Sequence, residues 1–206
     1  EIPYAATPEA FTFATEFRTL KTSEYIAIPG FVAYVGNSIP NGFALRLQSD
    51  GNKYVMQMCM GDSRNQGGAA WVTGPNPKID PGRWCRVLAR WDGKKITLDV
   101  DGVRVGAEAY DGKFVPAANG LLSVNRDGQG YTYYPLEVTM ADLEERAWSD
   151  DEAAAFFAAR RKDDAQSVAL AESLRRYERG AAVTVAELER NSRGLALHPI
   201  SKNLLE

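Results

Sequence analysis

Apolar and polar residues alternate with period two through most of the first two thirds of the chain. The clearest run is GRWCRVLARWDGKKITLDVDGVRVG, residues 82–106. Cys85, Val87, Ala89 and Trp91 share one parity, continued after a break by Ile96, Leu98 and Val100. Trp84, Arg86, Leu88 and Arg90 take the other, followed by Lys95, Thr97 and Asp99. Period two means strands with one face in a core and the other partly wet. The breaks fall at Asp92-Gly93 and Asp101-Gly102, pairs that tolerate the positive φ of a tight two-residue hairpin. The run predicts a locally paired three-stranded meander with Trp84 and Trp91 in the core.

The same pattern predicts strands elsewhere. Phe11, Phe13, Thr15 and Phe17 place one over 10–20, and 24–35 is β-like but broken at Pro29-Gly30. After a turn at 37–42, Phe43, Leu45 and Leu47, then Asp50-Gly51, then Tyr54, Met56, Met58 and Met60 predict a second hairpin. Residues 61–80 are rich in Gly, Asn, Pro and Asp, with only 69–73 strand-like. A polar segment of that length inside a compact domain points to function. Strands at 121–125 and, by the alternation of Leu136, Val138 and Met140, at 136–148 bring the count to ten to twelve. The pattern then becomes helical. Ser149 with Glu152 forms a capping box, and Asp150 and Asp151 favour the positive helix end. Helices are expected over about 149–162, 164–179 and 184–191, with a bend at Lys162-Asp163-Asp164, a stop at Gly180 and a second capping box at Thr184 and Glu187. The expected organisation is a mainly β domain, 1–148, built as a two-sheet antiparallel jelly-roll sandwich, with a C-terminal helical appendage, 149–206.

Three strings carry a resemblance: Gly82-Arg83-Trp84-Cys85-Arg86-Val87 with Trp91-Asp92-Gly93; Leu98-Asp99-Val100-Asp101-Gly102; and Trp148-Ser149-Asp150-Asp151-Glu152. Together they resemble the laminin-G-like, concanavalin A-like lectin and glucanase jelly rolls, over about residues 10–160. The resemblance implies a concanavalin A-like sandwich and extracellular recognition of a glycan or protein, sometimes with calcium. Such domains are frequently joined to glycan-degrading enzymes, adhesins or phage virion proteins. Residues 163–206 have no counterpart in that pattern.

Composition narrows the function. The chain has 206 residues, 45% of them hydrophobic, and a formal charge of −3. No basic stripe interleaves with aromatics, which argues against nucleic acid, and no apolar run reaches the ~20 residues of a membrane span. A chain beginning at Glu1 has lost a leader or belongs to a longer protein. Cys59 and Cys85 read as two buried thiols or as one disulfide. The single histidine, His198, argues against a His/Cys metal site.

Candidate ligand-binding residues are Trp71, beside the long polar loop, and Tyr131 and Tyr133 after a Gly-rich turn, whose rings suit the apolar faces of pyranoses; Asn125 and Arg126 suit hydroxyls. The competing role of such aromatics is packing at the sandwich rim. Asp50, Asn52, Asp62, Asn65, Asn125 and Asp127 are loop oxygen donors of the kind calcium takes, and equally residues that make turns. No E-x-D-x-E-like run is present, Asp101 belongs to a turn, and the adjacent Glu144 and Glu145 face opposite ways in a strand. The carboxylates ~5.5 Å apart that a retaining glycosidase needs are therefore missing. The first expectation is a non-catalytic glycan-recognition module of a secreted or surface protein, accessory to a carbohydrate-active enzyme, binding a glycan or glycoprotein with no cofactor required and calcium as the candidate ion. The second, from another class, is a virion or surface-filament assembly protein in which residues 163–206, with Leu170, Leu174 and Tyr177, hold neighbouring subunits.

Overall fold

The computed structural model describes residues 2–19, 30–35, 41–50, 53–62, 70–116, 121–124 and 136–159, with 169, 172, 173, 176, 182, 184 and 186–188 beyond; positions 2, 30–35, 49, 50, 62 and 121 are described by backbone alone. Among these residues the alternating segments form eleven strands: β1 (Ile2–Pro3), β2 (Phe11–Thr19), β3 (Gly30–Val35), β4 (Asn41–Asp50), β5 (Lys53–Asp62), β6 (Ala70–Val72), β7 (Cys85–Trp91), β8 (Lys95–Val100), β9 (Val103–Ala109), β10 (Leu121–Val124) and β11 (Leu136–Glu144). A helix, α1, covers residues 150–159, and residues 169, 172, 173, 176 and 186–188 are also helical. The strands make a six-stranded sheet, ordered β1-β10-β3-β4-β5-β6, and a five-stranded sheet, ordered β11-β2-β7-β8-β9. All pairings are antiparallel.

Period-two alternation builds the core between the sheets. Phe43, Leu45, Leu47, Met56, Met58 and Met60 come from the six-stranded sheet. Phe11, Phe13, Phe17, Val87, Trp91, Ile96, Leu98 and Val100 come from the other. The Phe11 and Phe43 rings meet across the sandwich at 4.6 Å between centroids.

Three sequence expectations need correction. Trp84 is not core: it precedes β7, is only partly buried, and lies 4.9 Å from the Arg18 guanidinium. The Asp101-Gly102 turn is the expected two-residue hairpin, both φ positive at 49° and 83°. The Asp92 turn is longer, because the Asp92 carboxylate accepts the amides of Lys94 and Lys95 and closes its own local turn. Finally, the non-core parity of the meander is not wet throughout: Leu88, Arg90 and Asp99 are 0%, 6% and 5% exposed. At Arg90 and Asp99 the reason is the stretch 146–150: Arg90 bonds Asp99, the Trp148 carbonyl and Asp150 together.

Both cysteines are free. Cys85 points into the core, whereas Cys59 pairs with Ala44 and Trp71 on the outer face of the other sheet, so the two thiols lie on different sides of the fold.

The short β6 leaves the edge of β5 uncovered, and Asn76 finishes it. Its side chain donates to the Met56 carbonyl at 2.7 Å and accepts the Met56 amide at 3.2 Å, as a neighbouring strand would. Nearby, a Cβ on Gly74 would stand 2.4 Å from the Val105 carbonyl oxygen, a backbone atom that has no rotamer to move away. Gly74→Ala is expected to lower stability by about 1–3 kcal/mol, the usual cost of overpacking, and a melting temperature equal to that of the parent would contradict this contact.

The chain divides into two compact units, Glu1–Ala153 and Ala154–Glu206. In the second, the Phe156 and Phe157 rings stand 5.0 Å apart, and Glu187 accepts from Ser173 at 2.8 Å and Arg176 at 2.9 Å. The Glu187 amide is capped by the Thr184 hydroxyl at 3.2 Å, half of the expected capping box. Lys162, Asp163, Asp164, Leu170, Leu174, Tyr177, Gly180 and the tail lie outside the described residues.

Candidate functional site

The two outer faces differ in chemistry. On the six-stranded sheet, register places Ser123, position 34, Ala44, Cys59 and Trp71 in one row across five strands. Ser123, Ala44 and Cys59 point away from the core yet are 4%, 1% and 2% exposed, so this row is buried on the outer side of the sheet as well. Trp71, on the last strand, stays partly exposed at its border. The next row holds Arg46 and Gln57. Arg46 reaches across β5 until its guanidinium carbon lies 5.5 Å from the centre of the Trp71 ring, within the range of a cation–π contact. Gln57 donates to Gln48 at 2.5 Å. The result is an aromatic plane flanked by a fixed cation and two amides. Burial pushes the Cys59 thiol up to about 12, so it stays protonated and serves neither as nucleophile nor as metal ligand.

On the five-stranded sheet the outer face carries a mesh of ion pairs. Glu16 accepts Arg86 at 2.8 Å, and Arg18 holds Glu137. Arg90 donates to Asp99 at 3.0 Å and to Asp150 at 2.9 Å; Arg104 donates to the same two carboxylates. Arg90 also donates to the Trp148 carbonyl at 2.9 Å. The Thr12 hydroxyl donates to the Arg146 carbonyl and accepts the Trp148 amide, both at 2.8 Å. These bonds sew residues 146–150 down as a strap. Beyond it the capping box forms as expected: the Ser149 amide donates to Glu152 at 2.8 Å, and the Glu152 amide to the Ser149 hydroxyl at 3.2 Å.

Arg90, then Arg104, hold the Asp150 carboxyl below the usual carboxylate range, and the Ser149 amide, then Arg146, do the same for Glu152. A carboxyl depressed in the folded state adds stability above its unfolded pKa, and that stability is lost as pH falls through the lowered value. Melting temperature is therefore expected to be level from neutrality to about pH 5 and to fall below about pH 4. A rise in melting temperature over that acid range would contradict the strap.

Of the sequence candidates, Trp71 lies on the outer face of the six-stranded sheet; Asn125, Arg126, Tyr131 and Tyr133 lie outside the described residues, as do Asn52, Asn65 and Asp127. Asp50 pairs with Lys53 and Asp62 with Asn41, at opposite ends of the β4–β5 hairpin. At ~3.3 Å per residue those ends are too distant for one ion to take both. Among the described residues no group of three His, Cys, Asp or Glu side chains could hold a metal ion, and no helix is long and apolar enough to cross a membrane. Sequence reasoning missed Arg46, whose contact with Trp71 spans two strands and leaves no local signal.

A laminin G model, described as the concanavalin A-like lectin/glucanases superfamily, matches residues 3–154. No curated protein matches the sequence. Among solved structures, the native heptameric SAP-like pentraxin from Limulus polyphemus is 13% identical, with 73% of this chain and 70% of that chain covered and a TM-score of 0.54. A putative carbohydrate binding protein from Bacteroides ovatus is also 13% identical with a TM-score of 0.54; 73% of this chain aligns with 41% of that one. The Ruminococcus gnavus IT-sialidase CBM40, bound to alpha2,6 sialyllactose, is 17% identical over 70% of this chain and 81% of that one, with a TM-score of 0.53. At these identities the likeness is one of fold.

Proposed function

This chain belongs to the concanavalin A-like lectin/glucanase superfamily, and from that membership we propose that it is a non-catalytic glycan-recognition module of a secreted or surface protein, binding on the outer face of the six-stranded sheet. The observation that carries this reading is the partly exposed Trp71 ring with the Arg46 guanidinium 5.5 Å from its centre. A ring fixed on one side by a cation offers a stiff plane to the C–H face of a pyranose, while Gln48, Gln57 and Arg46 supply hydrogen bonds to its hydroxyls. Structural neighbours described as a carbohydrate binding protein and as a sialidase CBM40 support the ligand class. The second of these also supports an accessory role beside a carbohydrate-active enzyme.

Binding without hydrolysis is supported by the carboxylates. A glycosidase needs one acid whose pKa is raised. Among the described residues, Glu16, Asp99, Glu137 and Asp150 are each held by an arginine, and the shifts at Asp150 and Glu152 run downward.

The test is a glycan array probed with the full chain and with Trp71→Ala and Tyr133→Ala. Binding to a defined glycan set that disappears in Trp71→Ala is expected; binding to no glycan, or binding untouched by that change, would sink the proposal. The same array run in EDTA is expected to give the same pattern, because the contacts named are side-chain contacts; loss of signal restored by calcium would show that an ion bridges the sugar.

A further inference from the structure

A cavity of about 200 Å³ opens where the strap crosses the five-stranded sheet, well apart in the fold from the Trp71 face. Its polar lining is Asp92, Lys95, Thr97, Arg104, Ser149 and Asp150, with Trp148 and Ala147 as apolar wall and Arg90 behind. Much of the bonding capacity there is already committed, and what remains is informative. Arg104 uses Nε on Asp99 and one Nη on Asp150, leaving its second Nη. Asp150 takes both arginines on Oδ1, leaving Oδ2. Asp92 takes two amides on Oδ1, leaving Oδ2. Among the described residues, the Lys95 ammonium and the hydroxyl of Thr97, a residue only 6% exposed, have no partner.

Donors and acceptors are therefore left over together. Three cations (Arg90, Lys95 and Arg104) and two carboxylates (Asp92 and Asp150) line the cavity, and the buried Asp99 outside the lining is paired with both arginines. An anion entering this space would meet arginines whose charge is already largely offset by these carboxylates. A neutral polyol uses both, since each hydroxyl donates one hydrogen bond and accepts others. At ~30 Å³ per water the volume is that of six or seven waters, room for one six-membered sugar ring with its hydroxyls and not for an oligosaccharide. Trp148 and Ala147 lie where the apolar side of such a ring would rest.

We propose that this pocket binds a single neutral hexose unit, making the module bivalent: a chain surface at Trp71 and a one-residue socket beneath the strap. Two weak sites on one rigid unit raise avidity for branched or clustered glycans without any new contact. The socket stands on its own geometry and does not depend on the reading of the Trp71 face.

The chain has four tryptophans, so fluorotryptophan labelling gives four assignable ¹⁹F signals. The probes are the methyl glycosides of glucose, galactose and mannose, with sodium acetate and sodium glucuronate as anionic controls. The expected result is a saturable shift of the Trp148 signal with at least one neutral glycoside, retained in Trp71→Ala. In the Lys95→Met/Thr97→Val double variant the affinity falls by about tenfold or more. No Trp148 response up to about 50 mM glycoside, a response to the anions alone, or a response unchanged in the double variant would each overturn the socket. Array binding that requires Trp71 while Trp148 stays silent rejects the socket alone; the converse rejects the Trp71 face alone.

Discussion

Arg90→Met is expected to destabilise the sandwich by about 3–5 kcal/mol, a fall in melting temperature of roughly 6–20 °C for a unit of this size. The side chains of Arg90 and Asp99 are 7% and 8% exposed. Arg90 bonds Asp99, Asp150 and the Trp148 carbonyl together. Removing it leaves Asp99 buried with Arg104 as its partner and takes the donor away from a strap carbonyl. The pair is costly to break and cheap to replace, because two charges taken out of water recover little more than their own desolvation. The double variant Arg90→Met/Asp99→Leu is therefore expected to regain a large part of the loss, while Arg104 and Asp150 keep each other at 3.0 Å. A single variant that melts within a degree or two of the parent would mean that the strap is held by something other than this mesh.

Trp71→Ala is the second large effect, and it falls on binding rather than stability. An aromatic anchor at the centre of a contact typically contributes ~2 kcal/mol or more, about 30-fold in affinity. Trp71 is partly exposed in the middle of a three-residue edge strand and outside the core cluster, so its loss should move the melting temperature little. Arg46→Met removes the cation above the ring and keeps the hydrocarbon stem; a loss of ~1 kcal/mol, roughly fivefold, is expected. Calorimetry against an array-selected glycan separates the outcomes. Equal losses in affinity and stability would make Trp71 a packing residue, the role that rim aromatics commonly have.

The backbone pattern was legible because its signals are local. Period two, the Asp92-Gly93 and Asp101-Gly102 turns and the Ser149–Glu152 box each involve neighbours in sequence, and they became strands, turns and a cap, with the Asp92 turn lengthened by its own carboxylate; Gly51 of the Asp50-Gly51 turn lies outside the described residues. Which outer positions are covered was not legible. Arg86, Leu88, Arg90 and Asp99 share a parity that reads as partly wet, and the bonds that occupy it come from afar: Glu16 to Arg86, and residues 148–150, some sixty positions on, to Arg90. Trp84 was placed in the core against its own parity, which is that of Arg86 and Arg90; it precedes β7 and lies beside Arg18 instead. The candidate face was half legible: Trp71 stood out as an aromatic beside a polar loop, but its partner Arg46 belongs to another hairpin. Asn76 looked like one more loop residue, and only the shortness of β6 makes it an edge mimic.

The most direct measurement of the central claim is a ¹⁹F titration of the fluorotryptophan-labelled chain with the glycan that binds best on the array. Saturation of the Trp71 signal at the affinity found by calorimetry, with Trp84 and Trp91 unmoved, is the predicted result. Saturable binding that leaves the Trp71 signal where it began would contradict it.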